Sequence, residues 1–240
     1  MRPVTLWLLL LVLSSATGVA QAQGKSKKKT EAPREAAASA LVVGGGALIE
    51  AGRFDQSVRV NRITNRESDD LRDFGGALIL SYLHGVTPGF RIGGRLAYSG
   101  FHELSVRDSN QSRSFGQRLA LDFVGEGIIP VTDRMDLLLG GRVGTPILIP
   151  GGDFKDIITV AQNQLYRTNS GPRFGLRIGF DADVRIHLKP HFAVRAGLGY
   201  AWTRTWLMNS SVESESSSGR RKYSLTLSQV RLGAGLEWLF

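Results

Sequence analysis

The residues of this chain best suited to chemistry are arginines and carboxylates, and they recur at alternate positions. Between residues 173 and 185 the odd positions carry Arg173, Arg177, Asp181, Asp183 and Arg185. Shared parity also groups Arg91 with Arg95, Arg118 with Asp122 and Glu126, Asp136 with Arg142, and Arg231 with Glu237, while Arg195 sits alone among glycines and apolar residues. Opposite charges enclosed together form a salt-bridge and hydrogen-bond network that cancels each charge. The same groups around an open passage would select ions, and the excess of Arg over Asp and Glu favours small anions. Catalysis has one candidate constellation, His102, Glu103 and Ser105. Neighbours in one strand point to opposite faces, so these groups converge only if the strand bends. His84, His187 and His191 fall in segments read as turns. The absence of cysteine excludes thiolate zinc sites, Cys nucleophiles and disulfides, and argues against a lipid-anchored precursor. No metal or cofactor is expected.

The formal charge of +9 suggests nucleic acid as a partner, but its distribution does not. One basic cluster, Lys25, Lys27, Lys28 and Lys29, lies in an Ala-rich segment, and most other basic residues are spread singly. A nucleic-acid face needs contiguous positive charge. No nucleic-acid partner is expected.

The elements that position these charges have period two. From Phe174 to Leu188 the even positions are all apolar, and the odd positions are Arg, Asp, Gly or His. Strict alternation specifies a strand with one oily and one polar face. Comparable segments lie at about 41–51, 74–83, 90–101, 117–129, 136–145, 192–206 and 223–240, which makes eight strands. In the last of them Tyr223, Leu225 and Leu227 are out of phase with Val230 to Phe240, so a bulge is expected near Ser228 and Gln229.

Connector lengths alternate. Short turns are read at 84–89, 130–135 and 187–191, and long loops at 52–73, 102–116, 146–172 and 207–222. The first long connector extends the strands; within the last, Ser210 to Ser218 is read as a polar, mobile loop. The third contains the apolar stretch Ile157 to Val160, which folds over the mouth or meets a partner. Aromatic residues gather at both rims: Tyr82, Phe90, Phe192, Trp238 and Phe240 by the short turns, and Phe74, Tyr98, Phe101, Phe174, Tyr200, Trp202, Trp206 and Tyr223 by the long loops. Two aromatic belts with short and long connectors on opposite rims form the pattern of bacterial transmembrane barrels. A soluble barrel with its oily faces inward has the same period and is the competing arrangement.

The N-terminal segment reads as an address. Arg2, the apolar run Leu6–Leu13 and the Ala20-Gln21-Ala22 site form a secretory signal peptide over residues 1–22, with cleavage expected after Ala22. Residues 23–39 form a basic periplasmic tail, whose lysines are placed to touch head groups or peptidoglycan. Residues 40–240 are the barrel domain.

The alternating end Val230, Leu232, Ala234, Leu236, Trp238, Phe240 resembles the terminal signal of outer-membrane barrels. With eight alternating segments, residues 40–240 are similar to the small OmpX/OmpA/OmpW-type barrel superfamily. That resemblance implies an all-β fold: an eight-stranded antiparallel up-and-down transmembrane β-barrel with short periplasmic turns and long extracellular loops. It implies residence in the outer membrane, contact with lipid and lipopolysaccharide, and handling by the barrel-assembly machinery through Leu236, Trp238 and Phe240. The expected role is structural or in surface interaction, with a lumen filled by the Arg, Asp and Glu network. A narrow porin-like channel and a lipid-modifying enzyme are the alternatives, the enzyme resting on His102.

Overall fold

The structure is a computed structural model and describes residues 39–99, 103–107, 109–164, 166–214 and 217–240. The strands are β1 (Ala40–Val60), β2 (Ile63–Thr87), β3 (Phe90–Tyr98), β4 (Leu104–Val106), β5 (Ser112–Arg113), β6 (Gly116–Thr132), β7 (Met135–Pro150), β8 (Arg173–Lys189), β9 (Phe192–Ser214) and β10 (Ser217–Leu239). A helix, α1 (Gly152–Asn163), lies between β7 and β8. The signal peptide and lysine cluster fall outside the described residues, as do Phe101 and His102.

Eight strands form a ring in the order β1-β10-β9-β8-β7-β6-β3-β2, and β1 pairs with β2 to close it. Every ring pairing is antiparallel. Closure leaves the wall without a free edge, so each strand's backbone groups are satisfied laterally, as a lipid environment demands. The short connectors are tighter than the sequence suggests: Pro88-Gly89, Asp133-Arg134 and Pro190-His191. Each is flanked by a register shift, at Gly85/Thr87, Pro130/Thr132 and His187/Lys189. Such bulges are common at barrel rims, where they bend and twist the strand.

At the other rim the strands run on. β1 has 21 residues and β2 has 25, whereas one tilted crossing of a bilayer needs about 9–11. The span 52–73 is therefore paired strand, turning at Asn61-Arg62. Asn61 adopts φ 53°, a left-handed conformation that Asn tolerates well. Its side-chain oxygen accepts from the Ser218 amide at 3.0 Å, tying the tip to β10. Most of 207–222 is likewise strand, in β9 and β10, which corrects the expected mobile loop.

The expected bulge near Ser228-Gln229 is also corrected. β10 runs in continuous register past both residues, and the shift lies between Tyr223 and Ser224, where β9 skips Leu207. Tyr223, Leu225, Leu227 and Gln229 therefore share the inward parity with Glu237. The hydrophobic phase flips because the interior changes polarity along the barrel axis, not because the backbone slips. Tyr223 accordingly leaves the expected aromatic belt: it is buried, with its ring 6.0 Å from that of Phe54.

Helix α1 supplies what the expected loop at 146–172 did not show. Phe154, Ile157, Ile158 and Ala161 recur at helical spacing, and Phe154, Ile158 and Ala161 are buried. The Ser114 amide donates to Asp153 at 2.9 Å and anchors the first turn. Beyond Thr205, β9 has no further pairing with β8. The outer extension is built on β2, β1, β10 and β9, with the small β4–β5 hairpin paired to β2.

Candidate functional site

The inward parity of the ring strands carries the charges predicted for it. On β8, Arg173, Asp181, Asp183 and Arg185 are buried, while Phe174, Leu176, Ile178 and Phe180 on the opposite parity are exposed. The other strands repeat this sidedness: Leu78, Leu80, Leu96, Leu121, Phe123, Val143, Leu198 and Leu232 all lie on the outer wall. An oily outside around an ionic inside excludes the soluble arrangement, in which these faces would be exchanged. Tyr82 with Phe240, and Phe192 with Trp238, form ring contacts of 6.3 and 5.0 Å at the short-turn rim. At the other rim Phe74, Phe174 and Trp206 stand exposed.

The enclosed charges form three groups along the axis. Nearest the short turns, Glu237 is 0% exposed and accepts from Arg91 and Arg185, both at 2.7 Å. Arg91 also reaches Glu126 at 2.6 Å, and Arg185 reaches Asp136 at 2.8 Å. Arg195 pairs with Glu126 and Asp183, each at 2.6 Å. His187 Nε2 lies 2.7 Å from Asp136. These contacts link six strands, because each long guanidinium reaches across the lumen.

Midway, Asp181 receives Arg95 at 2.6 Å and Arg231 at 3.1 Å, and it also pairs with Arg142. Asp122 lies 3.3 Å from Arg177 and 3.8 Å from Arg142. Glycines on the inward parity make this packing possible. A Cβ at Gly199 would come within 2.4 Å of Asp181 Oδ1, and one at Gly179 within 2.8 Å of Arg142 Nε. Further out, Arg118 binds Glu50 through both Nη atoms, at 2.9 and 2.5 Å, and the Gln229 amide also donates to Glu50.

One predicted member sits apart from the carboxylates. Arg173 is buried at the outer mouth, where it donates to Asn169 and its guanidinium lies 6.0 Å from the Phe154 ring. It terminates the polar lumen against the helix because it begins β8, beyond the reach of the axial carboxylates. Conversely, the sequence reading omitted Glu50, Ser81, Gln229 and His187. Glu50 had a readable signal, since it shares even parity with Val42 and Leu48, but the run Gly44–Gly46 between them erases the alternation. Leu236 and Trp238 lie on the outward parity of β10, and Phe240 follows, with its backbone paired to Ser39.

Above the Arg118–Glu50 pair the interior turns apolar. Phe54, Leu71, Leu104, Phe115, Leu148, Phe154, Ile158, Leu207, Leu225 and Leu227 form one buried cluster, with Tyr166, Met208 and Tyr223. The outer surface changes at the same level: Ile49 gives way to Arg53 on β1, Phe74 to Arg72 on β2, and Val230 to Ser228 on β10. The extension is thus built like a soluble protein standing on a membrane-embedded base.

Of the catalytic constellation, Glu103 accepts from the Ser112 hydroxyl and Ser105 is exposed in β4. Among the described residues no group of three or more His, Asp and Glu is placed to hold a metal ion.

No protein-family model matches the chain, and no curated relative is found. Solved structures similar to it include Neisserial surface protein A, at 11% identity and TM-score 0.41 over 82% of this chain and 99% of the other. OprG from Pseudomonas aeruginosa is 13% identical, with TM-score 0.45 over 85% and 97% of the two chains. The Escherichia coli outer-membrane protease OmpT is 11% identical, with TM-score 0.38 over 85% and 97%. The architecture itself rests on ring closure, sidedness and unequal rims, which together define a β-barrel of the small outer-membrane type.

Proposed function

We propose that this protein is a closed outer-membrane barrel that holds a strand-built platform above the bilayer, with a structural or surface-interaction role. One observation carries this reading: the lumen is crossed by mutually paired buried charges and then covered by the apolar cluster under α1. Eight strands leave a bore that side chains largely fill, and these side chains hold one another across it. The outward band meets acyl chains and lipopolysaccharide, and Leu236, Trp238 and Phe240 present the assembly signal. Lys25, Lys27, Lys28 and Lys29 serve head-group or peptidoglycan contact from the tail.

Planar-bilayer recording of the purified protein tests the reading. A silent bilayer is the expected result. Regular unitary conductance steps would replace it with the narrow, anion-favouring channel.

A further inference from the structure

The middle of the lumen contains more positive charge than its carboxylates match. Arg95, Arg142, Arg177 and Arg231 are all ion-paired to only two acids, Asp122 and Asp181. A void of about 20 Å³ lies against these groups. All four arginines line it, with Ser99, Gln229 and an aliphatic wall, and neither aspartate does. The Nε atoms of Arg142, Arg177 and Arg231 are buried and have no hydrogen-bond acceptor among the described residues.

We propose that this void is a binding site for a monatomic anion, a halide such as chloride, held by Arg95, Arg142, Arg177 and Arg231. Its volume suits one particle of about the size of water, for which roughly 10–15 Å³ is needed; phosphate or a carboxylate ligand would require the wall to open. Its lining chemistry favours an anion over water. Four guanidiniums offer donors and net positive charge at low dielectric, and a buried charge without a partner is costly. Ser99 and Gln229 are the only lining side chains that carry an acceptor, against four guanidiniums, and the rest of the wall is aliphatic. The ion is a structural counter-charge that completes the lumen, which goes beyond the closed-barrel reading and does not depend on the surface role.

Two measurements on the purified protein in detergent test this site. The first is thermal unfolding at constant sodium concentration, with chloride exchanged for gluconate, which is too large for the void. Chloride is expected to raise Tm saturably by about 3–6 °C, and Arg177→Gln to remove that dependence. Equal Tm values in the two salts overturn the proposal. The second locates the ion in wild-type protein, so it does not depend on any variant folding. Crystals grown in sodium bromide are expected to show an anomalous bromine peak among the four guanidiniums. Bromide found only elsewhere, or water-like density without anomalous signal in the void, overturns the proposal as well.

Discussion

The barrel's two interiors solve opposite problems with the same backbone. In the lower lumen, Arg91, Arg185 and Arg195 surround Glu126, Asp183 and Glu237, and the wall outside them is oily. In the outer chamber, Phe54, Leu71, Leu207 and Leu225 pack on α1, and the wall outside is polar. The exchange occurs within a few residues on each of three neighbouring strands. On the inward parity, moving outward along the axis, Glu50 is succeeded by Phe54, Asp73 by Leu71, and Gln229 by Leu227. A β-ribbon has two faces and no intrinsic preference for which is buried in what; the surrounding solvent decides. Where lipid surrounds the barrel, the hydrophobic effect gives no reason to bury apolar residues in the lumen. Where water surrounds it, burial of apolar area drives the chamber together.

The comparison predicts unequal responses to substitution. The largest is expected in the ionic half. Asp181→Ala leaves Arg95, Arg142 and Arg231 without their shared carboxylate, and removing one partner of a buried ion pair costs about 3–5 kcal/mol. Denaturant unfolding in lipid vesicles measures it as a lower midpoint, and an unchanged midpoint would show that water reaches the lumen freely. In the apolar half, Ile158→Ala should cost about 3 kcal/mol through lost burial and a residual cavity. That loss is expected locally, as faster amide exchange in α1 and the β9–β10 extension, with β6–β8 unaffected. Uniform acceleration around the ring would mean that the two halves unfold as one. The smallest effect is Gly199→Ala, expected to cost about 2 kcal/mol by crowding Asp181, with most of the loss recovered in Asp181→Ala, where the crowded carboxylate is gone. Strict additivity of the two substitutions would contradict the close approach.

Much of the embedded base was legible from residues 173–188 alone, because lipid outside and ions inside enforce strict alternation over a whole crossing. The charged members of the lumen follow from parity on every strand that keeps its pattern. Legibility fails for definite reasons elsewhere. Glycines at 44–46 hide the parity that assigns Glu50 to the lumen. Tyr223, Leu225 and Leu227 keep their inward parity while the surrounding medium changes, so a change of environment imitates a bulge. Helix α1 carries a helical repeat in Phe154, Ile157, Ile158 and Ala161, but a repeat of four positions within twelve residues is easily absorbed into a loop. Pairing partners across the lumen are set by ring closure and strand stagger, neither of which local spacing records.

The sidedness of the wall is open to direct measurement, and the natural lack of cysteine makes single labels straightforward. Fluorophores on cysteines replacing Phe123, Val143 and Leu232 are expected to be quenched by bromine-bearing lipid chains and shielded from aqueous iodide. Labels at Thr64 and Ser68, on the extension, should respond in the opposite way. Iodide reaching all five positions equally, with no lipid quenching at the first three, would contradict a barrel embedded by its oily face.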